Sequence, residues 1–100
     1  MGRMAAYAIS QFEIYDEQQA ERYRELAAAS IARYGGRYLV RGAMPQVPEG
    51  DWPLDERVAV VEFPSMARLR EWYASPEYAP ALAIREAALA RRLLFVDGVA

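Results

Sequence analysis

The pattern of apolar and polar residues divides this 100-residue chain into four strand-like segments and two helical regions. The strand-like segments are short and rich in β-branched and aromatic residues, and they span residues 5–14, 37–42, 58–63 and 93–96. In the first segment the alternation of apolar and polar residues is interrupted between Ile9 and Phe12. This interruption predicts either a bulge near Ser10 or burial on both faces of the strand.

The helical regions follow the first and third strands. Asp16 and Gln19 form a capping-box arrangement before a long amphipathic pattern, and Gly35 supplies its left-handed end. In the second region the residue pattern predicts a short helix over 66–74 and a regular helix over 81–90. Pro80 predicts an irregular start for the latter.

This order of elements is the split βαβ arrangement, so the sequence predicts a single α+β domain with a ferredoxin-like βαββαβ fold. Right-handed crossovers would place the helices on one face of a four-stranded antiparallel sheet. Residues 1–4 are expected to form a loose lead.

Two of the predicted strands do not alternate between apolar and polar residues. Residues 58–61 (VAVV) and 93–96 (LLFV) are apolar on both faces, although a sheet with one face in water should alternate. Burying the second face against another copy, over about 800 Å² per partner, would stabilise the protein. We therefore expect a homodimer that packs sheet against sheet.

Composition excludes several classes of function. The chain has no cysteine and no histidine, which removes thiolate chemistry and the commonest zinc and haem ligands. Its net charge of −2 argues against nucleic acid as a partner. No apolar segment is long enough to span a membrane. We expect a cytoplasmic protein that binds no metal and uses no cofactor.

Two arginines and one glutamate are candidates for binding or catalysis. Arg37 and Arg41 lie four residues apart in one strand, which predicts that they share a face and could hold an anion. Glu62 interrupts an apolar strand and could act as an acid or base if it were buried. The alternative is that these charges pair with one another or with acids across the dimer.

Aromatic residues provide the other candidates. Trp72, Tyr73 and Tyr78 surround Ser75 and could line a ligand pocket, with the hydroxyl groups orienting the ligand, although plain core packing and an N-cap also explain them. Trp52 lies in the long loop before the third strand. It is either a lid over a pocket or an anchor against a partner subunit, and we favour the anchor.

Four motifs give the chain a resemblance to a known family. The segments YGGRYLVRG (34–42), EGDW (49–52), VEFPS (61–65) and WYASPEY (72–78) together resemble the domain-of-unknown-function 1330 family over nearly the whole chain. This resemblance implies a dimeric α+β barrel. That superfamily includes cofactor-free monooxygenases, muconolactone isomerase-like enzymes and haem-dependent peroxidases, of which the haem branch needs a histidine that this chain lacks.

Two hypotheses follow for the function. In the first, a homodimer holds a small molecule between helices and sheet and acts on it without a cofactor. Arg41 would position an anionic or carbonyl substrate, and Glu62 or Tyr73 would move a proton. In the second, the chain is a non-catalytic binding or accessory module whose features serve dimerisation.

Overall fold

The computed structural model describes residues 4–53 and 55–99. In chain order, its elements are β1 (Ala6–Ile14), α1 (Glu17–Arg33), β2 (Arg37–Ala43), β3 (Arg57–Phe63), α2 (Met66–Tyr73), α3 (Ala79–Ala88) and β4 (Leu89–Asp97). The strands form one antiparallel sheet in the order β2-β3-β1-β4, which confirms the ferredoxin-like α+β fold. Of the predicted loose lead, only Met4 is described, and it is exposed.

Helix α1 begins and ends where the sequence predicts. The Asp16 carboxylate accepts a hydrogen bond from the Gln19 backbone N–H at 3.1 Å, which satisfies one of the free amides of the first turn. At the other end Gly35 has a φ of +78°, a conformation that is costly for residues with a Cβ. This turn returns the chain to the sheet as β2.

The helices cover one face of the sheet. On β1 this face carries Ala6, Ala8 and Ser10, all buried, and the residues paired with them point the same way. Phe63 and Trp72 pack there with their ring centres 5.2 Å apart. These side chains form the core between the sheet and the helices together with Ile31, Leu69 and Tyr78.

Three details differ from the sequence prediction. The pairing of β1 with β3 and with β4 runs without a register shift, so the bulge predicted near Ser10 is absent. Helix α3 starts at Ala79 rather than near residue 81, because Pro80 lies in the first turn, where a helix needs no amide donor. Strand β4 then begins directly at Leu89, four residues earlier than predicted.

The other face of the sheet carries no helix, and we call it the open face. Its apolar residues include Leu94 and Val96, whose exposed fractions are 53% and 40%. They lie beside Ile9 and Tyr7 of β1. None of the described helices is long and apolar enough to cross a membrane.

Candidate functional site

A cavity of about 440 Å³ lies between α1 and the helix-facing side of the sheet. Small side chains on the sheet create it, because Ala8, Ser10 and Ala59 do not reach the helix above them. Tyr23 of α1 and Trp72 of α2 close the helical side. The cavity therefore lies in the core layer, where the first hypothesis expects a ligand.

The lining of this cavity is positively charged. Four arginines reach it, one from α1 and one from each of three strands: Arg24, Arg41, Arg57 and Arg91. Glu17 is the one carboxylate among the lining residues. The lining thus carries an excess of three positive charges (four minus one) in a chain whose net charge is −2.

Tyr23 and Arg91 of the cavity lining form a polar cluster with Tyr78, which is not itself a lining residue. The Arg91 guanidinium donates to the hydroxyl oxygens of Tyr23 at 2.6 Å and Tyr78 at 3.1 Å. The two hydroxyl groups lie 2.7 Å apart and share a hydrogen bond. We call these three residues the Tyr–Tyr–Arg cluster.

The environment shifts the pKa values of Tyr23 and Arg91 in this cluster. Burial raises the pKa of the Tyr23 hydroxyl far above its ordinary value, and it also raises the pKa of Tyr38 nearby. Burial by itself would lower the pKa of Arg91, but the tyrosine oxygens outweigh it and the pKa is raised. At neutral pH Tyr23 therefore presents a protonated phenol and Arg91 a charged guanidinium.

Arg41 reaches the cavity because β2 is irregular. The pairing of β2 with β3 shifts register between Tyr38 and Val40, and again between Arg41 and Ala43. The first of these shifts turns Arg41 to the helix side, where its guanidinium carbon lies 4.6 Å from the centre of the Tyr38 ring. The prediction that Arg37 and Arg41 share a face is therefore wrong.

Arg37 and Glu62 lie on the open face, away from the cavity. The Arg37 Nε donates to the Glu62 carboxylate at 2.8 Å, and the Tyr7 hydroxyl donates to it at 3.0 Å. The hydrogen bond from Arg37 and that from Tyr7 lower the pKa of Glu62. Since this carboxylate is paired and outside the cavity lining, we assign it no proton transfer on a ligand there.

The aromatic candidates divide between the cavity and its surroundings. Trp72 lines the cavity, and its indole N–H donates to the Ser30 hydroxyl at 3.0 Å. Tyr78 is fully buried behind the lining and reaches it only through its hydroxyl group. Ser75 accepts from the Tyr78 backbone N–H at 3.1 Å, as an N-cap does.

Tyr73 and Trp52 are not among the lining residues. Tyr73 is 37% exposed, and its ring packs edge-on against Phe95 at 5.5 Å between centres. The indole nitrogen of Trp52 is buried and has no hydrogen-bond partner within residues 4–53 and 55–99. Neither the lid nor the anchor role of Trp52 is tested by these contacts, and both stay predictions.

Tyr23 and Arg91 are among the site residues that sequence reasoning missed, as are Glu17, Arg24 and Arg57. Tyr23 was assigned only to the apolar face of α1, and the predicted last strand began at Leu93, which left Arg91 outside it. Phe95 and Leu93 share one face of the strand, and extending this alternation two residues towards the N-terminus would have placed Arg91 on the same face. Within the described part of the chain, no group of three or more acidic side chains is arranged to hold a metal ion.

Comparison with known folds supports the assignment of the architecture. The chain is similar to the RPA0582 protein of unknown function from Rhodopseudomonas palustris, with a TM-score of 0.76 and 21% identity over 98% of this chain and 85% of that one. It is also similar to a dimeric ferredoxin-like protein of unknown function from Thermobifida fusca, with a TM-score of 0.66 and 18% identity over 95% and 92% of the two chains.

A third similar structure has a stated activity. It is SnoaB, a cofactor-independent oxygenase from Streptomyces nogalater, with a TM-score of 0.71 and 16% identity over 97% of this chain and 95% of that one. No curated protein matches the sequence. Residues 5–99 match the profile of one protein family, described as Domain of unknown function (DUF1330).

Proposed function

We propose that this chain, which belongs to the DUF1330 family, binds a small anionic organic molecule in the cavity between α1 and the sheet. The charge of the lining carries this proposal, because four arginines face one glutamate there. Guanidinium groups bind carboxylates and other oxyanions with strong, directional hydrogen bonds. An acidic protein that concentrates arginines in one cavity is suited to an anionic ligand.

The shape of the cavity supports an aromatic or otherwise flat ligand. Its volume of about 440 Å³ lies within the range of small-molecule sites. The rings of Phe12, Tyr38 and Trp72 supply apolar walls, while the arginines supply the polar contacts. A flat molecule with an anionic substituent would contact both the aromatic walls and the arginines.

We further propose that the bound molecule is converted without a cofactor. SnoaB is a cofactor-independent oxygenase, and its likeness to this chain is one of fold alone. A carboxylate is a common general acid or base, and Glu17 supplies the one carboxylate among the described lining residues. In this proposal Glu17 takes the role that sequence reasoning gave to Glu62 or Tyr73, and Arg41 keeps its role in positioning.

A homodimer is the assembly we propose. The exposed apolar residues of the open face support it, as does the similarity to a dimeric ferredoxin-like protein from Thermobifida fusca. The same surface favours the second candidate function, in which the chain is an accessory module and dimerisation is its main property. We keep a cytoplasmic location as part of the proposal, since the absence of cysteine suits a reducing compartment.

Titration calorimetry with 2-naphthoate and its neutral counterpart 2-naphthamide tests the anion site. We expect the wild-type chain to bind the carboxylate more tightly. We expect Arg41→Ala to weaken that binding about tenfold, the loss for a hydrogen bond to a charged group. Arg37→Ala is the matched control, because it removes the same side chain from the same strand but from the open face.

The outcomes separate the two functions. Absence of naphthoate binding, or equal affinity for the amide, would contradict the anion site and favour the accessory module. Unchanged affinity in Arg41→Ala would remove Arg41 from the site. Equal losses in Arg41→Ala and Arg37→Ala would point to long-range charge rather than to the cavity.

A further inference from the structure

We infer that the Tyr23 hydroxyl group donates a hydrogen bond to an oxygen of the ligand, and that this oxygen is the phenolate or enolate oxygen of a flat conjugated molecule. This inference rests on the proposed function, because it names the group that recognises the ligand in the same cavity. It follows from a count of hydrogens in the Tyr–Tyr–Arg cluster.

The cluster contains one hydroxyl hydrogen more than its contacts use. Arg91 donates to both phenol oxygens, so neither tyrosine needs its own hydrogen for that contact. The contact between Tyr23 and Tyr78 uses the hydrogen of one hydroxyl only. The other hydroxyl hydrogen has no hydrogen-bond partner among the described residues.

Burial decides which tyrosine keeps the free hydrogen. Tyr78 is fully buried, and an unpaired donor there would carry the full desolvation penalty. Tyr23 lines the cavity, where water or a ligand can accept from it. The favourable arrangement therefore has Tyr78 donating to Tyr23, and Tyr23 donating into the cavity.

The neighbours of Tyr23 select a charged oxygen as its acceptor. The Tyr23 oxygen accepts from the Arg91 guanidinium at 2.6 Å and also from Tyr78, and accepting two hydrogen bonds polarises its own O–H bond. Arg91 adds a positive charge directly behind the donor. A phenolate or enolate oxygen gains more from such a donor than a neutral carbonyl does.

The class of ligand follows from the single donor. One hydroxyl hydrogen makes one contact, which suits a single oxygen attached to a ring or a conjugated carbon. The aromatic walls formed by Phe12, Tyr38 and Trp72 suit the rest of such a molecule. A phenol is the simplest probe, because it reports its own ionisation.

The experiment measures the ionisation of 4-nitrophenol bound to the full chain, using the visible absorption of its phenolate. We expect the wild-type protein to lower the apparent pKa of the bound probe, because the ionised form binds more tightly. We expect Tyr23→Phe to weaken phenolate binding about tenfold to a hundredfold, the range for a hydrogen bond to a charged group. Affinity for the neutral phenol should change less.

Two further variants distinguish recognition from a structural role. Tyr78→Phe breaks the same Tyr–Tyr contact but leaves the Tyr23 hydrogen and Arg91 in place, so it should lower phenolate affinity less than Tyr23→Phe. Tyr15→Phe makes the same change at an exposed tyrosine and serves as the control. Equal effects of Tyr23→Phe and Tyr78→Phe would overturn the inference.

The remaining outcomes are also decisive. If the wild-type chain binds naphthoate but Tyr23→Phe leaves the probe ionisation unchanged, the inference fails and the anion site stands. If neither naphthoate nor 4-nitrophenol binds, both the anion site and the inference about Tyr23 fail. Should Tyr23→Phe not fold, wild-type protein carrying ¹³C at the tyrosine ζ carbon gives a second test. The Tyr23 resonance must then move when 4-nitrophenol is added, and its failure to move would overturn the inference.

Discussion

The Arg91 guanidinium is hydrogen-bonded to two phenol oxygens rather than paired with a carboxylate. A half-buried guanidinium is costly to desolvate, and the two tyrosine oxygens outweigh that cost without supplying a negative charge. An anionic ligand in the cavity would supply the missing negative charge.

Glu62 provides a prediction about pH. Hydrogen bonds from Arg37 and Tyr7 hold its pKa in the folded protein below the ordinary value of 4.5. A carboxyl group with a lowered folded pKa contributes stability above its unfolded pKa, and this contribution is lost as the pH falls through the folded value. We therefore expect wild type to be more stable than Glu62→Gln at pH 7 and the difference to shrink below about pH 4.5.

Urea unfolding of both proteins across this pH range measures the effect. Glu25→Gln, at an exposed position on α1, is the matched control and should show no comparable dependence. A stability difference between wild type and Glu62→Gln that stays constant from pH 7 to the acid limit would contradict the role of the ion pair.

The first of two bulges in β2 determines that Arg41 rather than Arg37 enters the cavity. The rule that residues four apart share a face holds only for a regular strand, and each register shift adds one residue to one side of the pairing. Gly42 lies at the second shift with a φ of +75°, which a residue with a Cβ adopts only at a cost. The glycine allows the backbone turn that follows Arg41.

We predict that Gly42→Ala lowers both stability and anion affinity. Strain at a positive φ should cost about 1 kcal/mol in urea unfolding. Relief of that strain would move Arg41, so 2-naphthoate binding should weaken severalfold. Gly50→Ala is the matched control, since Gly50 also has a positive φ (+82°) but lies in the β2–β3 loop with open space around it. It should lose similar stability and keep its affinity, and a parallel loss of affinity would contradict the bulge argument.

The order of elements could be predicted from sequence, but the exact ends of two of them could not. Periodicity, caps and glycines located all four strands and the long helix, because these signals are local. The junction of α3 and β4 has no turn signal, since the helix passes directly into the strand at Leu89. Arg91 was missed for that reason, and the bulge between Tyr38 and Val40, which turns Arg41 towards the cavity, contains no glycine that would have indicated it.

The cavity is a property of the whole molecule and could not be predicted from any one segment. It exists because small residues on β1 and β3, among them Ala8 and Ala59, lie opposite α1 once the strands pair. Their smallness is ordinary in each strand taken alone. The electropositive lining likewise appears only when four elements each bring one arginine to the same place. Sequence reasoning predicted a pocket between helices and sheet and one of these arginines, Arg41.

The open face leads to the prediction at the scale of the assembly. Leu94 lies in the interior of β4 opposite Ile9, and 53% of it is exposed in a single chain. A homodimer that covers this face should be a dimer in light scattering at micromolar concentration. Leu94→Glu should make it a monomer, because each interface would then bury two unpaired carboxylates. Ala29→Glu, on the exposed side of α1, is the control and should leave the dimer intact.

This variant also relates the dimer to the cavity. The side chain of Leu94 lies on the opposite side of the sheet from the lining, so the Leu94→Glu monomer should bind 2-naphthoate with nearly wild-type affinity. Its intrinsic stability should also change little, since exposed substitutions usually stay within about 0.5 kcal/mol. A wild-type protein that scatters light as a monomer would contradict the homodimer. A monomeric variant that no longer binds the anion would instead show that the cavity needs the second copy to hold its shape, because no residue of the cavity lining is altered by the substitution.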